Sequence, residues 1–321
     1  LNSLSGKAKI NLASLRDKVL VKDENTMSGT NFLRALSNIG EIITTIDDKG
    51  RFPETLDILI EKYSGAIETF CQLVKECDSS EEVLRRIRSS ELKAGERMAL
   101  LKIYRRCVSP VLDTENAKKI KKISTENLIK TYGHTFKPID DLKLQFDRLS
   151  SEYRYALAAL VGEYDTRGRS GYTLTGLFFD WFETHFEGIY TIEGPRGAGR
   201  DIELSELYRD YKGSFPCDFV IRRVSDKEVA AIGFARYDST RGGAQSDDRT
   251  GGNANKVEKA KAFDRETATK LKMIFVADGP GLTHKDTWEE ACQLDGQWNG
   301  RVRVVTLKLA AERITTEWLE S

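Results

Sequence analysis

Two apolar, β-branched segments past the middle of the chain constrain the fold more than any other feature. Asp218–Arg223 and Glu228–Tyr237 are joined only by Val224-Ser225-Asp226-Lys227, which predicts a hairpin. The second segment runs straight into Asp238-Ser239-Thr240-Arg241-Gly242-Gly243-Ala244-Gln245-Ser246-Asp247-Asp248-Arg249-Thr250-Gly251-Gly252-Asn253. Packing requires nothing of this kind. Hydrogen-bonding residues mounted on rigid strands are where binding and chemistry are usually carried, with acids suited to metal and arginines to phosphate.

The flanking sequence sets an order of elements. Tyr172–Phe186 carries an aromatic stripe at helical spacing (Leu174, Leu177, Phe178, Trp181, Phe182), and Gly188–Glu193 reads as a short strand. A Gly-rich excursion, Gly194–Asp201, leads towards the hairpin. Beyond the loop, Lys256–Lys270 is predicted helical and Leu271–Ala277 is a buried type of strand ending at Asp278-Gly279-Pro280-Gly281. Helix Lys285–Leu294, strand Arg301–Leu307 and a helix from Ala310 follow. From Tyr172 to Asp278 the order is helix, strand, strand, strand, helix, strand.

The first half is different in character. Leu33, Leu36, Ile39 and Ile43 fall at helical spacing, as do Leu56, Leu59, Tyr63, Ile67, Phe70 and Leu73. Further helices are predicted over Glu81–Ser89, Lys93–Cys107, Thr114–Thr131 and Asp140–Val161. Polar and glycine residues cluster at 162–170, so the expected division is a helical domain over 1–162 and an α/β domain over 163–321. The expected fold is α/β, a mixed central sheet with an αβββαβ core behind an α-helical N-terminal domain.

At 321 residues the chain accommodates two domains with separate cores. Its 50 basic and 50 acidic side chains cancel, which excludes binding by bulk positive charge but not a cleft that focuses it. No apolar run reaches the length of a membrane span. The five cysteines show no CxxC spacing and the three histidines are scattered, so a zinc site is not expected. Reduced structural thiols, no secretory signal at the start and a cytoplasmic location complete that reading.

The element order, with Asp218 behind Pro216 at the head of the hairpin, resembles the PD-(D/E)xK nuclease superfamily, and within it the type II restriction endonucleases. The likeness covers roughly the C-terminal half. It implies Mg²⁺-dependent hydrolysis of double-stranded DNA by a homodimer, with no nucleotide cofactor and no membrane partner. The family's D/E-x-K triplet would fall on Gly233-Phe234-Ala235, which holds neither acid nor lysine. A bulge at Gly233 would turn Arg236 and Asp238 to the side of Asp218. Asp218 and Asp238, with Asp248, are then the expected metal ligands, and Arg236 takes the lysine's part beside the scissile phosphate. The missing acid could otherwise come from Asp247-Asp248, or from Asp180 and Glu183 in the preceding helix.

Arg241, Gln245, Arg249 and Asn253 carry donors suited to base edges or phosphates, and Lys256 follows them as a further DNA contact. The plainer reading is a solvated loop whose arginines pair with its own acids. Arg85, Arg86, Arg88, Lys102, Arg105 and Arg106 form one basic cluster, and Lys118, Lys119, Lys121 and Lys122 another. Such runs are ordinarily solvated helix faces. Beside a nuclease they become phosphate contacts, Lys121 and Lys122 foremost. Gly194–Asp201 could form a phosphate nest, but no Gly-Lys-Ser/Thr follows it and a nucleotide P-loop is excluded. Two other functions fit the sequence: a silent DNA-binding subunit with a degenerate nuclease core, and an interaction protein acting through its helical half.

Overall fold

Residues 32–48, 50–163, 165, 168–239 and 245–321 are described by the computed structural model, the side chains of 245–251 excepted. The chain divides into two units, one holding the stretch up to Asp48 and Gly168–Ser321, the other Lys49–Arg167.

Two short helices open the first unit, α1 (Phe32–Ala35) and α2 (Ile39–Ile42). The second unit is helical throughout its described residues. It contains α3 (Glu54–Glu76), α4 (Ser80–Ile87), α5 (Ala94–Cys107), α6 (Thr114–Ala117), α7 (Thr125–Tyr132), α8 (Ile139–Asp147) and α9 (Ser151–Gly162). The chain then re-enters the first unit at α10 (Arg169–His185) and β1 (Tyr190–Glu193). Next come β2 (Ile202–Glu203), α11 (Leu204–Leu207), β3 (Pro216–Cys217), β4 (Phe219–Arg223) and β5 (Val229–Tyr237). The remainder is α12 (Gln245–Thr267), β6 (Met273–Asp278), α13 (Lys285–Leu294), β7 (Val302–Val305), α14 (Ala310–Arg313) and α15 (Thr316–Glu320).

The fold is mixed α/β around a five-stranded sheet in the order β1-β4-β5-β6-β7. The pairs β1–β4 and β4–β5 are antiparallel, and β5–β6 and β6–β7 are parallel. Strand alternation divides the apolar residues cleanly between two faces. Val220, Ile232, Phe234, Met273, Phe275 and Val304 pack under Val257, Ala260 and Phe263 of α12 and Ala291 and Leu294 of α13. Phe219, Ile221, Ala231, Ile274 and Val276 pack against Leu174, Phe178, Phe179 and Phe182 of α10.

The boundary expected at 162 needs correcting at its other end. Residues 32–48 belong with the sheet, not with the helices. Arg34 pairs with Glu289 through Nη1 at 3.0 Å, and the Arg313 guanidinium lies 4.1 Å from the Phe32 ring centre. Thr44 N–H donates to Asp278 Oδ1 at 2.6 Å, and Ile46 N–H donates to Tyr237 Oη at 2.9 Å. Long-range partners decide this docking, so the helical spacing of 33–43 could not show it.

Two long predicted helices are each broken in the structure. Between α6 and α7, Arg88 is buried and donates to Ala117 O (2.8 Å), Ile123 O (2.6 Å) and Thr125 Oγ1 (2.7 Å). Ser124 then caps α7 by accepting from Asn127 N–H at 3.2 Å. The chain is thereby folded around a guanidinium, and Arg88 is a structural residue and no phosphate contact. Ser79 caps α4 in the same way, accepting from Glu82 N–H at 3.1 Å, while Glu82 Oε2 accepts from Asp78 N–H.

Asp165 is the electrostatic centre of the helical unit. It accepts from Lys62 Nζ at 2.7 Å, from Lys102 Nζ at 2.5 Å and from Tyr63 Oη at 2.8 Å. Burial works to raise its carboxyl, but the bonds from Lys102, Lys62 and Tyr63 prevail and hold it below the ordinary value. A depressed folded-state pKa contributes stability that is present above the unfolded value of about 3.9 and lost as pH falls through the folded value. The wild-type chain should therefore weaken below about pH 4 more steeply than Asp165→Asn. Urea midpoints followed by circular dichroism from pH 6 to pH 2.5 check this, and parallel profiles would remove Asp165 from the acid limb.

Candidate active site

The register of the hairpin places the site. Phe219 pairs with Gly233 and Val220 with Ile232, and Asp218 N–H donates to Gly233 O at 3.0 Å. Paired residues share a face, so Asp218 falls with Val220, Phe234 and Arg236 on the α12 side. No bulge at Gly233 is involved. The register slips between Ile221 and Arg222, beside Ala230 at the far end of the strand. Gly233 has another purpose: a Cβ there would lie 1.9 Å from Phe219 Cζ. The expected bulge is thus corrected to a packing glycine, and alternation alone brings Arg236 and Asp238 to Asp218's side.

Asp218, Arg236, Asp238, Asn253 and Lys256 all line one cavity of about 400 Å³ between the sheet, α12 and α13. Phe234, Phe275, Leu294 and Val304 form its apolar part, with Thr287, Glu290 and Gln293 on the α13 side. Asp218 Oδ2 accepts from Ala235 N–H at 2.7 Å, and Oδ1 has no protein hydrogen bond among the described residues. Burial pushes the Asp218 carboxyl up, and the Asp201 charge adds to that; the Ala235 amide and the Lys256 charge oppose it. Lys256 Nζ sits 3.8 Å from the Phe234 ring centre. Burial drives its ammonium down, while the charge of Asp218, chief among the opposing groups, works to raise it.

Arg236 and Asp238 are engaged with each other. Arg236 donates to Asp238 Oδ1 from Nε at 2.8 Å and Nη2 at 2.5 Å. The Asp238 backbone is fixed by the turn beyond β6: its N–H donates to Asp278 O at 2.8 Å, and its O accepts from Gly281 N–H at 2.7 Å. Gly279, at φ +102°, permits that approach, since a Cβ would stand 2.6 Å from Asp238 O. Asp278 holds the turn in place. Its fully buried carboxylate accepts from the amides of Thr44 (2.6 Å), Gly279 (2.7 Å) and Leu307 (2.9 Å).

The other expected acids lie elsewhere. Asp180 and Glu183 on α10 both pair with Arg196 at 2.5 Å. Arg196 comes from the Gly-rich excursion, in which Arg200 pairs with Glu206. Arg241 lies outside the described residues. Gln245, Asp247, Asp248 and Arg249 fall in the first turns of α12, where the backbone alone is described. The loop expected over 239–253 is therefore helical from Gln245 onward. Lys121 and Lys122 are exposed in the turn between α6 and α7 of the helical unit.

Asp201 is the residue the sequence did not reveal. Ile202 pairs with Cys217 and Glu203 with Pro216, so the antiparallel register continued by one residue sets Asp201 across from Asp218. Strands this short leave no alternation to read.

Among the described residues, no three His, Cys, Asp or Glu side chains gather closely enough to hold a metal. Mg²⁺ asks less than that, since it keeps several waters and is held by one or two carboxylates together with substrate phosphate. The hard oxygen donors of Asp218 and Asp238 suit it. A desolvated carboxylate with an oxygen to spare is also the group that a dication would relieve. No helix among the described residues is long and apolar enough to cross a membrane. Comparison with known protein families, with characterised proteins and with solved structures finds no match.

Proposed function

We propose that the chain is a Mg²⁺-dependent, site-specific endonuclease for double-stranded DNA, of the type II restriction kind, acting as a homodimer. The observation that carries this is that Asp218 and Lys256 line one cavity at the head of the hairpin. The elements around it follow in the order α10, β1, β4, β5, α12, β6, with β2, α11 and β3 inserted between β1 and β4. Two symmetry-related sites are what cutting both strands of a palindrome requires.

Asp218 and Asp238 would hold the ion, which when bound lowers the pKa of a coordinated water and offsets charge on the phosphate. Ala235 N–H holds Oδ2 of Asp218, and Oδ1 accepts no hydrogen bond from the described residues. Lys256, rather than Arg236, takes the lysine's part, because Arg236 is occupied with Asp238. Its ammonium, presented from a helix and partly desolvated, stabilises the charge that builds on the phosphate and orients the attacking water. The apolar walls limit solvent and strengthen both interactions.

Incubation with long, mixed-sequence duplex DNA is the direct test. Mg²⁺ should produce discrete fragments, and Ca²⁺ should support binding without cutting. Lys256→Ala should slow cleavage about a hundredfold or more, well beyond its loss of binding in Ca²⁺. Binding without cleavage under any divalent cation would favour a silent DNA-binding subunit. Neither binding nor cleavage would overturn the proposal.

A further inference from the structure

We infer that the concavity on the far side of Lys256 is a subsite for a second phosphate of the strand being cut, with Lys259 as its anchoring cation. The inference rests on the nuclease reading and adds to it a position and a ligand chemistry.

A second cavity of about 180 Å³ lies between α12 and the β3 segment, with Ser214, Gly252, Asn255, Lys256 and Lys259 in its lining. Gly252 and Lys256 also line the cavity that holds Asp218, so these residues border both spaces. Positions 252, 255, 256 and 259 follow one side of a helix, where residues three and four apart are neighbours. Side by side, they form a track and not a single point.

The charge on this track is unusual for the molecule. The chain is neutral, and its cations are widely paired, with Lys261 on the same helix held by Glu258 at 2.7 Å and Arg301 by Asp264 at 2.7 Å. Lys259 is exposed and makes no ion pair among the described residues. Glu203, paired with Pro216 in the β2–β3 ladder, is already committed: it accepts from Ser214 Oγ at 3.1 Å and from Phe215 N–H at 2.7 Å. At Gly252 an added Cβ would meet nothing within 4 Å. A ligand presenting one anionic group to Lys256 and another to Lys259, joined by a chain passing Gly252, is a phosphodiester strand.

Lys259→Ala and Lys259→Glu separate this from the activity itself. Cleavage of long, mixed-sequence duplex DNA is followed under steady-state conditions, and binding in Ca²⁺ is measured across a salt series. For Lys259→Ala, KM should rise about five- to tenfold with kcat unchanged, and the salt slope should fall by about one phosphate contact. Lys259→Glu should be weaker still, and Lys259→Arg should restore most of the affinity. If the wild-type chain cuts DNA while Lys259→Glu keeps its KM and salt slope, the subsite is overturned and the nuclease reading stands. If the wild-type chain neither binds nor cuts DNA, both fall together.

Discussion

Asp218→Asn is expected to reduce cleavage by about a thousandfold or more while leaving thermal stability within a few degrees of wild type. Loss of a carboxylate that holds a catalytic dication removes several kcal/mol of transition-state stabilisation, and about 4 kcal/mol corresponds to a thousandfold in rate. The amide retains the shape of the side chain and an oxygen to accept from Ala235 N–H, so the β4–β5 junction survives. Asp218→Ala would be the poorer reagent, because it strands that amide in a half-buried place. Single-turnover cleavage beside a melting curve decides the matter. Near wild-type cutting by Asp218→Asn would move the chemistry away from this cavity altogether.

Gly233→Ala should destabilise the sheet by about 3 kcal/mol or more, at the upper end of what overpacking a core costs. Three atoms of the Phe219 ring stand between 1.9 and 2.5 Å from where the new Cβ would be. That ring cannot retreat. It is fully buried, with Phe178 at 5.2 Å and Phe179 at 5.9 Å between ring centres. For a unit of this size the loss corresponds to a fall in Tm of about 6–12 °C. Adding Phe219→Leu should recover part of it by vacating the space the methyl needs. Calorimetry of the single and double variants measures both effects, and a fall under about 2 °C for Gly233→Ala would show that the hairpin relaxes where the geometry says it is locked.

That glycine illustrates what the sequence could and could not disclose. The strand around it was legible from β-branched residues and a short turn, and α13 was legible from its periodicity alone. The reason for a glycine at 233 was not, since it depends on an aromatic ring across the ladder. The same limit explains α12. Gly251-Gly252 and the polar residues before them favour a loop locally, yet the helix begins at Gln245. Lys256 was recognisable as a cation near the site, but its place beside Asp218 follows from the rotational phase of that helix. Asp201 depended on a pairing too brief to leave a pattern. Elements that carry their own period were readable; positions set by a partner far along the chain were not.

The docking of residues 32–48 on the sheet has a consequence for the order of events during synthesis. Thr44 binds Asp278, which lies 234 positions later, and Ile46 binds Tyr237, 191 positions later. The intervening helical unit has a core of its own and can close as soon as its last helix is made. Asp48 likewise accepts from Ser170 Oγ at 2.8 Å and Thr173 Oγ1 at 2.7 Å, contacts that wait for α10. The segment that precedes the helices must therefore wait, exposed, while they emerge and fold. It reaches its binding place only when β6 and the turn after it have been added, so closure of the sheet unit is a late, long-range step that slow translation or early truncation would leave undone.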